Sequence, residues 1–202
     1  MYETQSEEPI RRSPVKVALT RLFKGLYDIL ETLVIAGAFV VFVYLFIASP
    51  HEVVGRSMEQ NFWNGEYLLA DKISYHFNRP ERGDVVIFKH SDTADYIKRV
   101  IGLPGDTVSL RDGSFYVNGT RVDESEYLPA DVYTDPGPYL REGDEKEVPS
   151  GQYFVAGDNR PHSSDSRTFG PIDKESIKGR AVLIYWPFSK LSLVPKQTYA
   201  IQ

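Results

Sequence analysis

Three separated stretches hold most of the side chains that could do chemistry: VVGRSM (53–58), YIKRVIGLPGD (96–106) and GDNRPHSSDSRTFG (157–170). They offer serine hydroxyls, a lysine amine, aspartates, arginines and one histidine. A serine hydroxyl is a weak nucleophile until a base takes its proton, and a neutral lysine is one base that serves, so these types together would support acyl transfer. Other hydrolase patterns are missing: the sequence has no H-E-x-x-H and no G-x-S-x-G. With no cysteine it also has no thiol nucleophile, zinc ribbon or disulfide framework. Ser13-Pro-Val-Lys16 matches S-x-x-K but lies in a basic arm ahead of an apolar run, where the match is accidental. His162 sits in a turn-like Arg-Pro-His-Ser run and is not expected to serve a serine as base.

In this order and spacing the three stretches resemble the bacterial type I signal peptidase family. Its signature blocks are a Ser-Met just past the membrane, a Lys-Arg-Val/Ile strand ending in Pro-Gly-Asp, and a Gly-Asp-Asn-x-x-x-Ser-x-Asp-Ser-Arg loop. The flanking Arg82-Gly83-Asp84 turn is also in place, and the resemblance covers roughly residues 30 to 190. It implies that Ser57 is the nucleophile, Lys98 the general base, and Ser163 a hydroxyl that hydrogen-bonds the lysine amine. Asp158, Asp165 and Arg167, with Asn159 and Arg160, would support the base structurally. The backbone N–H of Ser57 would stabilise the oxyanion, carrying more of that load because Gly55 stands where some members place a hydroxyl. The family usually continues Ser-Met-x-Pro-Thr, whereas this chain reads Ser57-Met58-Glu59-Gln60-Asn61, so the loop is expected to be held differently.

The implied base must be neutral to act. Bringing a lysine from about 10.4 to about 7 costs about 4.6 kcal/mol, within reach of burial, which shifts buried lysines by roughly 3 to 5 units. In a strand, Lys98 shares a face with Tyr96 and Val100 while Arg99 points the other way, which predicts that the Arg99 charge stays in water. Phe62 and Trp63 follow the nucleophile and are expected at the lipid headgroups, which aromatic rings favour.

The elements that must position these groups begin with an anchor. Thr32 to Ser49 carries no charge and is apolar on every face, and as helix it would rise roughly 27 Å, close to a bilayer's hydrocarbon thickness. Arg11, Arg12, Lys16, Arg21 and Lys24 precede it, which places the start of the chain in the cytoplasm. The expected organisation is a cytoplasmic arm (1–28), a transmembrane helix (29–49) and an extracytoplasmic catalytic domain (50–202). Strand-like runs fill that domain at 66–73, 84–89, 96–102, 107–110, 152–157 and 178–186, and Asn118-Gly119 in FYVNGTRV predicts a tight hairpin. Residues 123–150, with four prolines among many acidic residues, read as an irregular insertion. The fold class expected is mostly β, an antiparallel-sheet domain behind one membrane helix.

A net charge of −5 argues against nucleic acid as partner. The resemblance implies an endopeptidase of the bacterial inner membrane that cuts exported preproteins after small side chains. Its partners would be signal peptides, the lipid bilayer and the nearby secretion translocon, and no metal or cofactor is implied. The self-cleaving repressor peptidases share the Ser-Lys fold but carry a DNA-binding domain where this chain has a span. The rival from another class is a catalytically silent β domain on a membrane tether, acting as a binding or assembly module.

Overall fold

The computed structural model describes residues 14–197, so Arg11, Arg12 and Ser13 lie outside the described residues. The chain divides into two units, residues 1–43 and 44–202. The described part of the first is helix α1 (Pro14–Phe42). Its apolar residues from 21 onward, Leu22, Phe23, Leu26, Leu33, Val34, Ile35, Phe39 and Val40 among them, are all exposed. A helix apolar on all sides has no stripe to bury in a core and suits lipid instead. The stretch Arg21–Ile47 is long and apolar enough to cross a membrane. Residues 14–28 belong to the same helix. A π turn (Val43–Ile47) ends it, and Ala48 and Ser49 already belong to the first strand.

The second unit is antiparallel throughout its paired strands. Strands β1 (Ala48–Glu52), β2 (Tyr67–Asp71), β3 (Val85–Lys89) and β4 (Asp95–Gly102) belong to the larger sheet, with the short helix α2 (Ser74–Phe77) between β2 and β3. A smaller sheet holds β5 (Thr107–Arg111), β6 (Ser114–Val117), β7 (Thr120–Arg121) and β8 (Glu145–Glu147). The chain then returns through β9 (Gln152–Ala156), helix α3 (Ser166–Phe169), β10 (Ile172–Asp173), the long β11 (Ile177–Trp186) and β12 (Ser192–Leu193). The larger sheet runs β1-β2-β11-β3-β4-β9-β10, with β12 on β11, and the smaller runs β7-β6-β5-β8. Pro50 lies in β1 at the sheet edge, where a missing N–H is tolerated. Asn118 and Gly119 adopt φ 53° and 81°, as the predicted hairpin requires, and Asp112-Gly113 does the same between β5 and β6.

Three apolar clusters hold the unit together. Val53, Met58, Phe62, Leu68, Val85, Ala181 and Ile184 pack beneath the loop that carries Ser57. Val86, Phe88, Val100, Tyr153, Val155 and Ile172 form a second cluster. Ile101, Phe115, Leu140, Val148 and Phe154 join the two sheets in the third. Residues 123–150 are only partly an excursion, because Tyr127, Leu128 and Leu140 belong to this third cluster and β8 pairs with β5.

Two expectations are corrected here. Phe62 is buried, 3% exposed, and cannot lie among headgroups; only Trp63 is open. The reason is local: Phe62 N–H bonds the Met58 carbonyl at 2.9 Å, one helical turn that puts both side chains on the inward face. Arg99 is buried rather than solvated, because β4 has packed clusters against both faces and leaves no wet side.

Candidate active site

Lys98 sits in the middle of β4, and β3 pairs it with Val86. Its Nζ donates to Ser57 Oγ at 2.8 Å and to the Ile97 carbonyl at 2.9 Å, with the Tyr96 ring 5.0 Å away. The residue is 3% exposed. Burial pushes its amine down to about 8, outweighing the opposite pull of Asp165 and Asp158. An alcohol is thus held against an amine that sheds its proton far below the usual lysine range.

Ser57 is carried on a loop fixed from three directions. Gly55, at φ 96°, makes the bend before it, and its N–H is held by Asn64 Oδ1 at 2.8 Å. A residue with a hydroxyl side chain would be strained there, which gives Gly55 a backbone reason to stand in that position. Asn159 ties the loop to the third stretch: its N–H donates to the Ser57 carbonyl at 3.0 Å and its side chain to the Arg56 carbonyl at 2.9 Å. Gly157 lets these strands of chain meet, since a Cβ there would lie 2.4 Å from the Ser57 carbonyl oxygen and 2.2 Å from Ser163 Oγ. Among the described residues the Ser57 N–H has no acceptor.

The carboxylates support this arrangement at one remove. Asp158, fully buried, accepts from Arg99 Nε at 2.8 Å and Nη2 at 2.6 Å, and from Asn61 Nδ2 at 2.8 Å. Arg99 also donates to the Gly83 carbonyl at 3.0 Å and stacks 4.0 Å from the Tyr127 ring, which satisfies the charge that was expected in water. Asp165 caps α3 and accepts from Gly157 N–H at 3.0 Å and from Arg167 Nε and Nη2 at 2.8 Å. Burial pulls the Asp165 carboxyl upward, but its bonds to Arg167 and Gly157 hold it below the usual carboxylate range. Arg160, fully buried, donates to the Gly157 carbonyl at 2.9 Å, to Thr134 at 2.9 Å and to Glu124. Arg167 Nη1 reaches the Asp135 carbonyl at 2.8 Å. Residues 124–135 of the insertion therefore brace the loop, a role that no sequence pattern announces.

One expected contact is not formed. Ser163 Oγ is buried but does not meet the Lys98 amine, which spends its bonds on Ser57 and Ile97; the Ser163 hydroxyl instead helps to hold the Asp165 carboxyl down. His162 lines the same cleft and makes no side-chain bond to Ser57 among the described residues. That cleft holds about 590 Å³ between residues 51–57 and 93–98, with Val53, Leu68, Ile87 and Ile97 as apolar lining beside the Ser57–Lys98 pair.

Residues 26–186, which contain all three stretches, match the family described as signal peptidase, peptidase S26. The chain belongs to the type I signal peptidase family. Signal peptidase IB of Staphylococcus aureus strain COL is 38% identical over 177 residues, covering 81% of this chain and 92% of that protein. A probable signal peptidase I-2 of Synechocystis is 36% identical over 171 residues, 81% of this chain and 75% of the other. A solved signal peptidase I of Enterococcus faecalis V583 is 33% identical and covers 51% of this chain and 97% of that one, at a TM-score of 0.42. Against the usual signal peptidase sequence, the departures at Gln60 and Asn61 have a structural account. Gln60 adopts φ 93°, a conformation closed to proline, whose ring fixes φ near −65°. Asn61 holds the loop by its side chain, donating to the Tyr127 carbonyl at 2.9 Å as well as to Asp158.

Proposed function

We propose that this chain is a membrane-bound serine endopeptidase that removes signal peptides from exported preproteins through a Ser57–Lys98 dyad. The observation that carries the reading is the 2.8 Å contact between Lys98 Nζ and Ser57 Oγ at a buried amine. Neutral Lys98 takes the Ser57 proton as Oγ attacks the scissile carbonyl, and the oxyanion forms against the Ser57 N–H. The ammonium then protonates the leaving amine, the new N-terminus of the mature protein. An acyl-enzyme on Ser57 remains, and water activated by the same amine hydrolyses it. Ser163 turns its hydroxyl to the amine during this exchange. The apolar lining of Val53, Leu68, Ile87 and Ile97 leaves room for small side chains before the cut.

The same reading places the start of the chain in the cytoplasm, since Lys16, Arg21 and Lys24 precede the apolar span. The catalytic unit then faces outward on the inner membrane of a bacterium, beside the translocon that delivers its substrates. Both the enzyme's span and the substrate's apolar helix lie in one bilayer, so they meet in two dimensions.

The test is the pH dependence of preprotein cleavage by the full chain in detergent micelles. Only the neutral amine is competent, and with its proton lost near pH 8 about a tenth of the enzyme is active at about pH 7. The rate should climb roughly tenfold from about pH 7 to a plateau above about pH 9. A flat profile across this range would remove Lys98 as the base. Absence of cleavage at every pH would favour the tethered binding module.

A further inference from the structure

Where the chain leaves its apolar span, the folded unit turns back onto the exit point. The Lys72 N–H donates to the Ile47 carbonyl at 2.9 Å, and Lys72 Nζ donates to the Tyr44 carbonyl at 3.1 Å. The same ammonium lies 5.4 Å from the centroid of the Tyr44 ring. Since β1 and β2 pair from Ala48 opposite Asp71, the residues that follow β2 sit level with the last turn of the span. Those residues are 72–79, which include α2.

Tyr75 of this segment packs against the second apolar cluster, but its other two large apolar side chains stay open. Phe77 is 84% exposed and Ile73 38% exposed, and neither joins a core cluster. Two cations flank them: Lys72, and Arg79, which is exposed. Neither forms an ion pair among the described residues. The nearby carboxylate, Asp71, is occupied by the N–H and hydroxyl of Ser74, and the His76 ring is turned back to the Lys72 carbonyl at 2.9 Å. What faces outward is a phenyl ring and an aliphatic chain between two positive charges. That composition suits the boundary between acyl chains and anionic headgroups, where aromatic rings lie flat and basic side chains reach phosphate.

We propose that residues 72–79 form a second membrane contact, with Phe77 and Ile73 at the acyl boundary and Lys72 and Arg79 on anionic lipid phosphates. The proposal rests on reading Arg21–Ile47 as a membrane span. It fastens the sheet edge at two points. From Ala48, the strand β1 advances about 14 Å to Glu52, and its last residues His51 and Glu52 line the cleft. A domain held by the span alone could swing about the exit point, whereas a second contact on β2 sets the height of the cleft above the bilayer.

The absence of cysteine lets a Phe77→Cys variant of the full chain carry a single spin label. In vesicles of phosphatidylcholine with phosphatidylglycerol, dissolved oxygen should relax this label more than a water-soluble nickel chelate does. An Asp131→Cys variant, labelled in the exposed insertion, should show the reverse order. Adding Lys72→Gln and Arg79→Gln, or leaving out phosphatidylglycerol, should lower the oxygen-to-nickel ratio at position 77. If the chain floats with the vesicles while the label at 77 is as open to nickel as that at 131, the second contact is wrong. A label that is buried equally with and without phosphatidylglycerol and with both cations removed overturns the anionic-lipid assignment. A chain that fails to float overturns the span itself, and the contact with it.

Discussion

Ser57→Ala and Lys98→Met should each lower preprotein processing on the order of 10⁴-fold or more, and the double substitution should cost little beyond either one. Under the proposed dyad the two atoms, 2.8 Å apart, act as one unit, so removing either leaves the other without a task. Measuring kcat of the full chain on one preprotein, singly and doubly substituted, checks this. Losses that multiply would mean that the two residues act independently. Lys98→Met carries a second expected effect of opposite sign. The folded amine loses its proton near 8, against 10.5 for an unperturbed lysine, so between those values the unfolded chain binds more protons. The stability penalty of burying this amine is therefore fully present below about pH 8 and fades as pH rises toward 10.5. At about 1.4 kcal/mol per pH unit it amounts to roughly 3 to 4 kcal/mol. Lys98→Met should raise the unfolding midpoint at neutral pH and lose that advantage in alkali, which urea titrations of wild type and variant at several pH values would show. An equal difference at all pH values would mean that the amine carries no such penalty.

Asp158→Ala should be the most damaging change to the fold among the site residues. It strips the Arg99 guanidinium, 3% exposed, of both its carboxylate bonds and removes one of the two acceptors of Asn61. Leaving one partner of a buried pair uncompensated costs about 3 to 5 kcal/mol, a large share of the 5 to 15 kcal/mol that ordinarily separates folded from unfolded chains. Replacing the pair together, as Arg99→Met with Asp158→Leu, should recover much of the loss, because no charge is then stranded. Urea unfolding of the single and double variants would decide it. A double variant no more stable than Asp158→Ala would show that the bonds to Asn61 and Gly83 matter more than the charge. Activity should not return fully with stability, since the loop that carries Ser57 loses one of the two bonds that Asn61 makes to hold it.

Much of this design is written locally. The span is legible because lipid demands an unbroken apolar run, and the hairpin at Asn118-Gly119 because its φ values favour those two residues. Asp112-Gly113 carried the same signal and could have been found in the same way. The strand β1 was hidden because its first residues continue the apolar run of the span, so composition does not mark the change from helix to strand.

By itself the sequence determined the anchor, the strand-rich class, and three blocks of residue types suited to acyl chemistry. Only the tertiary structure decided which of those residues touch: Ser57 meets Lys98 across 41 positions and Arg99 meets Asp158 across 59. It also decided that Arg99 and Phe62 turn inward, that Ser163 does not bond the Lys98 amine, and that the acidic insertion braces Arg160 and Arg167. Periodicity reports only which way a side chain points along its own strand or turn. Whether that direction leads to water or to a partner depends on what another, distant segment brings to the same face.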